Sequence, residues 1–152
     1  MGVGHVPQEP IRAASARTQF QGSQHRGTSA GRSVSAAARI ARGKWAEDLV
    51  ARWYEHHGYR VIARNWRCPR GELDVVAIRS DELVVCEVKA RASVAFGTPA
   101  EAITSAKQLR LRRTTAALLA ELRADKSVKI DRVRFDAASV LGTQLEIAMN
   151  AF

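Results

Sequence analysis

Four side chains in this 152-residue chain stand where they could do chemistry together: Glu47, Asp74, Glu87 and Lys89. Residues 71–91 hold two apolar runs separated by Arg79-Ser80-Asp81-Glu82, the pattern of two strands joined by a tight turn. With those four residues in the turn, Ile78 meets Leu83, Val76 meets Val85, Asp74 meets Glu87 and Glu72 meets Lys89. Two carboxylates then face each other with Cβ atoms about 4.5–5.5 Å apart, which destabilises a hairpin unless a cation lies between them. Magnesium takes oxygen ligands in octahedral geometry and keeps several waters. Two or three carboxylates, with a backbone carbonyl such as that of Val88, make a suitable set. Lys89 shares a face with Glu87, because strand residues alternate sides. From there it can orient or deprotonate a water, or offset charge on a phosphate. The reaction such a group supports is metal-assisted phosphodiester hydrolysis. Two plainer readings compete: Glu72 as the cross-strand ion partner of Lys89, and Glu47 as an ordinary solvated helix residue.

The elements that must position these groups follow from periodicity. Residues 36–57 carry Trp45, Leu49, Val50, Trp53 and Tyr54 at helical spacing, with Gly58 as the stop. Glu47 lies on the edge of that apolar stripe, one turn after Gly43. A glycine inside a helix costs about 1 kcal/mol relative to alanine, so close approach of a phosphate or a second backbone is expected there. Residues 59–67 read as a strand, and Cys68-Pro69-Arg70-Gly71 as a loop into the hairpin. Thr98-Pro99-Ala100-Glu101 has the capping-box pattern, opening a helix with a break near Thr104 that runs to about residue 122. Lys107, Arg110, Arg112 and Arg113 crowd its first half. They form either a solvated face or a set of phosphate contacts. Strands over 133–140 and 144–149 complete the order α-β-β-β-α-β-β. Strand 83–90, the second helix and strand 133–140 form a crossover, which makes those two strands parallel. The expected fold is α/β, a mixed sheet with helices packed on it.

Composition narrows the partners. The formal net charge of +9 favours an anionic partner such as nucleic acid. Residues 1–35 are rich in Gly, Ser, Ala, Gln, Pro and Arg and read as a disordered basic tail ahead of one domain over 36–152. Cys68 and Cys86 are isolated, and His56-His57 point in different directions on a helix, so zinc is not expected. No apolar run is long enough to span a membrane and no signal-peptide core is present, so a cytoplasmic protein is expected. The oligomeric state is open, a dimer being one option.

Gly71-Glu72-Leu73-Asp74 followed by Glu87-Val88-Lys89 resembles the D…(E)xK core of the restriction-endonuclease-like, or PD-(D/E)XK, superfamily. Gly43-Lys44-Trp45-Ala46-Glu47 resembles the helix glutamate of its Holliday-junction resolvase and exonuclease branches. More closely, the chain from Ala41 onward is similar to the uncharacterised bacterial YraN family. The matching pieces include Gly58-Tyr59, Arg64-Asn65, Phe96-Gly97, Lys107, Arg134-Phe135-Asp136 and the final Asn150-Ala151-Phe152. The resemblance implies Glu47, Asp74 and Glu87 as ligands of Mg²⁺ or Mn²⁺ and Asp74, Glu87 and Lys89 as catalytic residues. It adds Gln108 to Lys107, Arg110 and Arg113 as nucleic-acid contacts. It implies a nuclease acting on DNA, on branched or damaged structures. The alternative is a nucleic-acid-binding module that keeps the fold without the catalysis.

Overall fold

The computed structural model describes residues 30–93, 98–101, 103–124 and 128–152. Most of the expected tail lies outside these residues, as do Phe96 and Gly97. Helix α1 (Ala30–His56) is followed by β1 (Arg60–Cys68), β2 (Gly71–Arg79) and β3 (Glu82–Arg91). Helix α2 (Ser105–Ala124), β4 (Arg132–Leu141) and β5 (Gln144–Ala148) complete the expected order. The strands form one sheet in chain order, β1 to β5. β3 and β4 are parallel across the α2 crossover, and the other three pairings are antiparallel. Among the described residues no helix is long and apolar enough to cross a membrane.

A helix covers each face of the sheet, which is why β2 and β3 carry continuous apolar runs rather than alternation. Leu83 and Val85 point with Leu73, Val76 and Phe135 toward Leu111, Leu118 and Leu122 of α2. Val84 and Cys86 point with Val75, Ala77 and Ala138 toward Ala46, Val50 and Tyr54 of α1. Those α1 residues, four apart, form the buried stripe; Trp45, expected in it, is 45% exposed and instead donates its indole N–H to the carbonyl of Gly142 at 3.2 Å. α1 begins at Ala30, inside the stretch expected to be tail, but residues 37–42 are exposed and belong to neither core cluster. Its end is as expected: Gly58 takes a positive φ of 79° and the Tyr59 amide donates back to the Tyr54 carbonyl at 3.0 Å.

The capping box closes a separate turn. Thr98 N–H donates to Glu101 Oε2 at 2.9 Å and Glu101 N–H to Thr98 Oγ1 at 3.4 Å, yet α2 starts only at Ser105. The residue that caps α2 is Thr104, whose hydroxyl accepts from the Lys107 amide at 3.3 Å. The break near Thr104 is therefore where α2 begins.

One buried carboxylate ties these layers together. Asp136 on β4 is fully buried. Its oxygens accept from the Tyr54 hydroxyl at 2.7 Å, from Arg134 Nε and Nη2 at 2.9 Å each, and from the Asn150 amide at 2.8 Å. Arg134 Nη1 continues to Glu82 Oε2 at 2.9 Å and to the Tyr59 hydroxyl at 3.2 Å. Burial, then Cys86 and Asp136, push the Tyr54 hydroxyl well above the ordinary phenol range, so it stays a donor. Removing one partner of such a network strands charge in the interior. Asp136→Ala is expected to cost roughly 3–5 kcal/mol in urea unfolding, and Tyr54→Phe only about 1 kcal/mol, the worth of one hydrogen bond.

Candidate active site at the fork of β2 and β3

The hairpin keeps the expected register where it is paired. Ile78 meets Leu83 and Val76 meets Val85, but Arg79 also pairs with Glu82, so the turn is only Ser80-Asp81. Ser80 takes a φ of 56°, the positive value that two-residue hairpin turns require. The ladder stops at Val75–Cys86. The next step, Asp74 opposite Glu87, is not a ladder pair: Asp74 Oδ2 accepts the Val88 amide at 2.8 Å. A side chain takes the place of a backbone carbonyl, and the strands fork there.

The pleat also breaks at this residue. Leu73 packs on the α2 side and Val75 on the α1 side, although residues two apart should share a face. Across from Asp74, between the pairs Arg64–Val75 and Trp66–Leu73, Asn65 adopts a positive φ of 48°. Its side-chain amide donates to Glu47 Oε2 at 2.6 Å. Asp74 is thus placed by an irregularity on two strands, and the same irregularity fixes Glu47.

The electrostatics are strained. Burial first, then the charge of Glu87, pushes the Asp74 carboxyl up to about 7; the Val88 hydrogen bond and Lys107 oppose the rise, and Glu47 adds to it. Glu87 Oε1 accepts Lys107 Nζ at 2.5 Å, while Glu87 Oε2 is buried with no hydrogen-bond partner. One lysine therefore serves two carboxylates. Among the described residues, no three His, Cys, Asp or Glu side chains gather as a ready cation cage. The structure brings Asp74, Glu87 and Lys107 together and holds Glu47 back on Asn65. The donors are hard oxygens in excess of local positive charge, with one oxygen unsatisfied, and so fit Mg²⁺ or Mn²⁺.

The other expected residues take different positions. Lys89 is exposed, makes no ion pair among the described residues, and lines a cavity of about 290 Å³ with Glu87, Lys107 and Arg110. Glu72 pairs with Arg67 at 3.0 Å, so it does not occupy Lys89. Lys107 and Arg110 also line a second cavity, about 570 Å³, with Asp74, Glu72 and Arg67. Gln108 is turned inward, its amide donating to the Ile103 carbonyl at 3.2 Å, where it braces the chain's own loop. Arg113 is exposed on α2 but lines neither cavity. Beside Gly43 lies open space, so the expected close approach of another backbone does not occur.

Close approach occurs instead at Gly71, where φ is 152° and a Cβ would lie 2.8 Å from Thr114 Oγ1 and 3.3 Å from Arg110 Cγ. The absent side chain lets α2 bring Lys107 and Arg110 down beside Asp74. Three contributors were not singled out from the sequence: Asn65 as a positioning residue, Arg67 in the second cavity, and the Val88 amide. The signal that pointed at Asn65 is its place in the Arg64-Asn65 motif shared with the resembled family.

Fold and site together define a mixed-sheet α/β protein with an acidic, lysine-bearing cleft. Residues 46–140 match the model of Uncharacterised protein family UPF0102, and the chain belongs to that family, the YraN-like family its motifs resemble. It is 48% identical over 107 residues to a UPF0102 protein of Beutenbergia cavernae, covering 70% of this chain and 87% of the relative. It is 40% identical over 129 residues to one from Acidothermus cellulolyticus, covering 78% and 98%. A third, from Renibacterium salmoninarum, is 47% identical over 108 residues, covering 71% and 88%.

The raised Asp74 carboxyl has a consequence for stability. In the unfolded chain Asp74 titrates near the usual value of about 3.9, so between there and about 7 the folded protein keeps a proton the unfolded chain has lost. Folding stability therefore falls as pH rises through that window and levels off above it. Asp74→Asn keeps an acceptor for the Val88 amide and removes this loss. The variant should match wild type below pH 4 and exceed it by roughly 1–3 kcal/mol at pH 8 without added metal, measured by urea unfolding across pH.

Proposed function

We propose that the protein is a Mg²⁺- or Mn²⁺-dependent nuclease that hydrolyses phosphodiester bonds in DNA, with branched or damaged structures as its substrates, acting in the cytoplasm. The observation that carries this reading is the under-neutralised pair Asp74 and Glu87, one with a raised carboxyl and the other with a buried oxygen that nothing satisfies. A purely structural carboxylate is satisfied, as Asp136 is.

Asp74 and Glu87 would hold the ion, with Glu47 close enough to add its charge. When bound, the ion supplies Lewis acidity at the phosphate and an acidified water. Asp74 keeps its orientation through the Val88 amide. Lys89, exposed and adjacent to Glu87, places a cation at the reacting phosphate, where negative charge grows in the transition state. Arg110 and Arg67 line the wider cavity on the Asp74 side and suit the flanking phosphates.

The ion pair between Lys107 and Glu87 favours a second reading, a nucleic-acid-binding module whose acidic residues are internally neutralised. The two separate in one screen. Single-stranded, duplex, forked and four-way-junction DNA are incubated with the full-length protein and Mg²⁺ or Mn²⁺. The nuclease reading expects cleavage that Lys89→Ala abolishes while metal and DNA binding persist. Binding without cleavage on every substrate favours the module. Arg110→Ala is expected to flatten the log–log salt dependence of duplex affinity by about 0.9, while Arg113→Ala changes it little.

A further inference from the structure

Lys107 stands in an unusual place. It lies in the first turn of α2, where no acidic residue is present and the helix dipole disfavours a cation. It is held there by Glu87 Oε1 at 2.5 Å, on the carboxylate whose second oxygen is buried and unsatisfied. It is also two-thirds buried, at 33% side-chain exposure, and lines both the cavity beside Glu87 and the one beside Asp74. A lysine ammonium sits on a flexible four-carbon stem with three rotatable donors. It can leave Glu87 for either cavity without movement of the helix backbone.

We infer that Lys107 is the counter-ion that couples cation binding to phosphodiester binding, closing on Glu87 when both are absent and moving to a substrate phosphate when they are present. The inference rests on the metal-dependent reading above. A divalent ion and Lys107 compete for the same carboxylate, so the lysine lowers the metal affinity of the free protein. A phosphate in either cavity, near the N-terminal turn of α2, attracts Lys107 away and frees Glu87. Each ligand then favours the state the other needs, which is positive coupling, and by linkage the effect is reciprocal. Arg110, which lines the same two cavities but pairs with no carboxylate among the described residues, lacks this role.

The test uses the full-length protein and Mn²⁺ followed by electron paramagnetic resonance, with and without a phosphorothioate-backbone duplex. Lys107→Gln removes the charge; Lys107→Arg keeps a cation at the site and controls for folding. Lys107→Gln should bind Mn²⁺ about tenfold more tightly than wild type without DNA, within the ordinary range of coupling between sites. Lys107→Arg should stay near wild type. The duplex should tighten Mn²⁺ binding to wild type more than it does for Lys107→Gln, the difference being the share that passes through Lys107. Unchanged or weaker Mn²⁺ binding in Lys107→Gln overturns the inference and leaves the nuclease reading standing. Tighter binding with undiminished coupling to the duplex overturns the coupling role. Absence of Mn²⁺ binding in all three proteins overturns the metal-dependent reading together with the inference.

Discussion

The fold hangs on one buried negative charge. Asp136 sits inside β4 with four hydrogen bonds converging on two oxygens, and its partners come from α1, from its own strand and from the chain's last residues. Through Arg134 the same network reaches Glu82 at the start of β3 and Tyr59 at the entry to β1. A carboxylate without water is tolerable only when every lone pair is engaged. The network therefore ties the layers together, with Tyr54 of α1 and the Asn150 amide both donating to the β4 carboxylate.

Two acidic groups on this sheet receive opposite treatment. Asp136 is fully buried and saturated with donors; Asp74 and Glu87 are less buried and short of them. The difference lies in the backbone. β4 runs straight through Asp136 in a parallel ladder with Cys86, so its side chain meets a packed interior. β2 departs from its partner at Asp74, so that side chain enters a fork where a backbone amide, a carboxylate and a lysine compete for it. Saturation produces rigidity. The shortage at the fork leaves Asp74 and Glu87 close together with Lys107 paired to Glu87 and Glu87 Oε2 unsatisfied.

The sequence carried most of the architecture because periodicity and turn chemistry are local. The hairpin register from Val76 to Leu83, the parallel crossover and Gly58 as the helix stop all follow from short-range pattern. The residues of the candidate site could be named from the sequence, but their arrangement could not. Asp74 opposite Glu87 extrapolates an ideal ladder, whereas positive φ at Asn65 and the face change at Asp74 end it. Nothing local tells that Lys107 turns to Glu87, twenty residues back, or that Gln108 turns inward, because both outcomes depend on how closely α2 packs over Gly71. The structural part of Arg134-Phe135-Asp136 was likewise hidden, since its partners are remote in sequence.

The sheet lists its strands in the order in which the chain supplies them. β1, β2 and β3 form a local meander, and only the step from β3 to β4 spans a helix. Short loops close quickly, so the first three strands can pair before the rest of the chain arrives. The acidic fork lies within that meander, with Lys89 two residues after Glu87 on the same strand. Lys107 is made next, and Asp136 after it. The lysine that offsets the fork and the carboxylate that anchors the buried network thus both come from the second half of the chain.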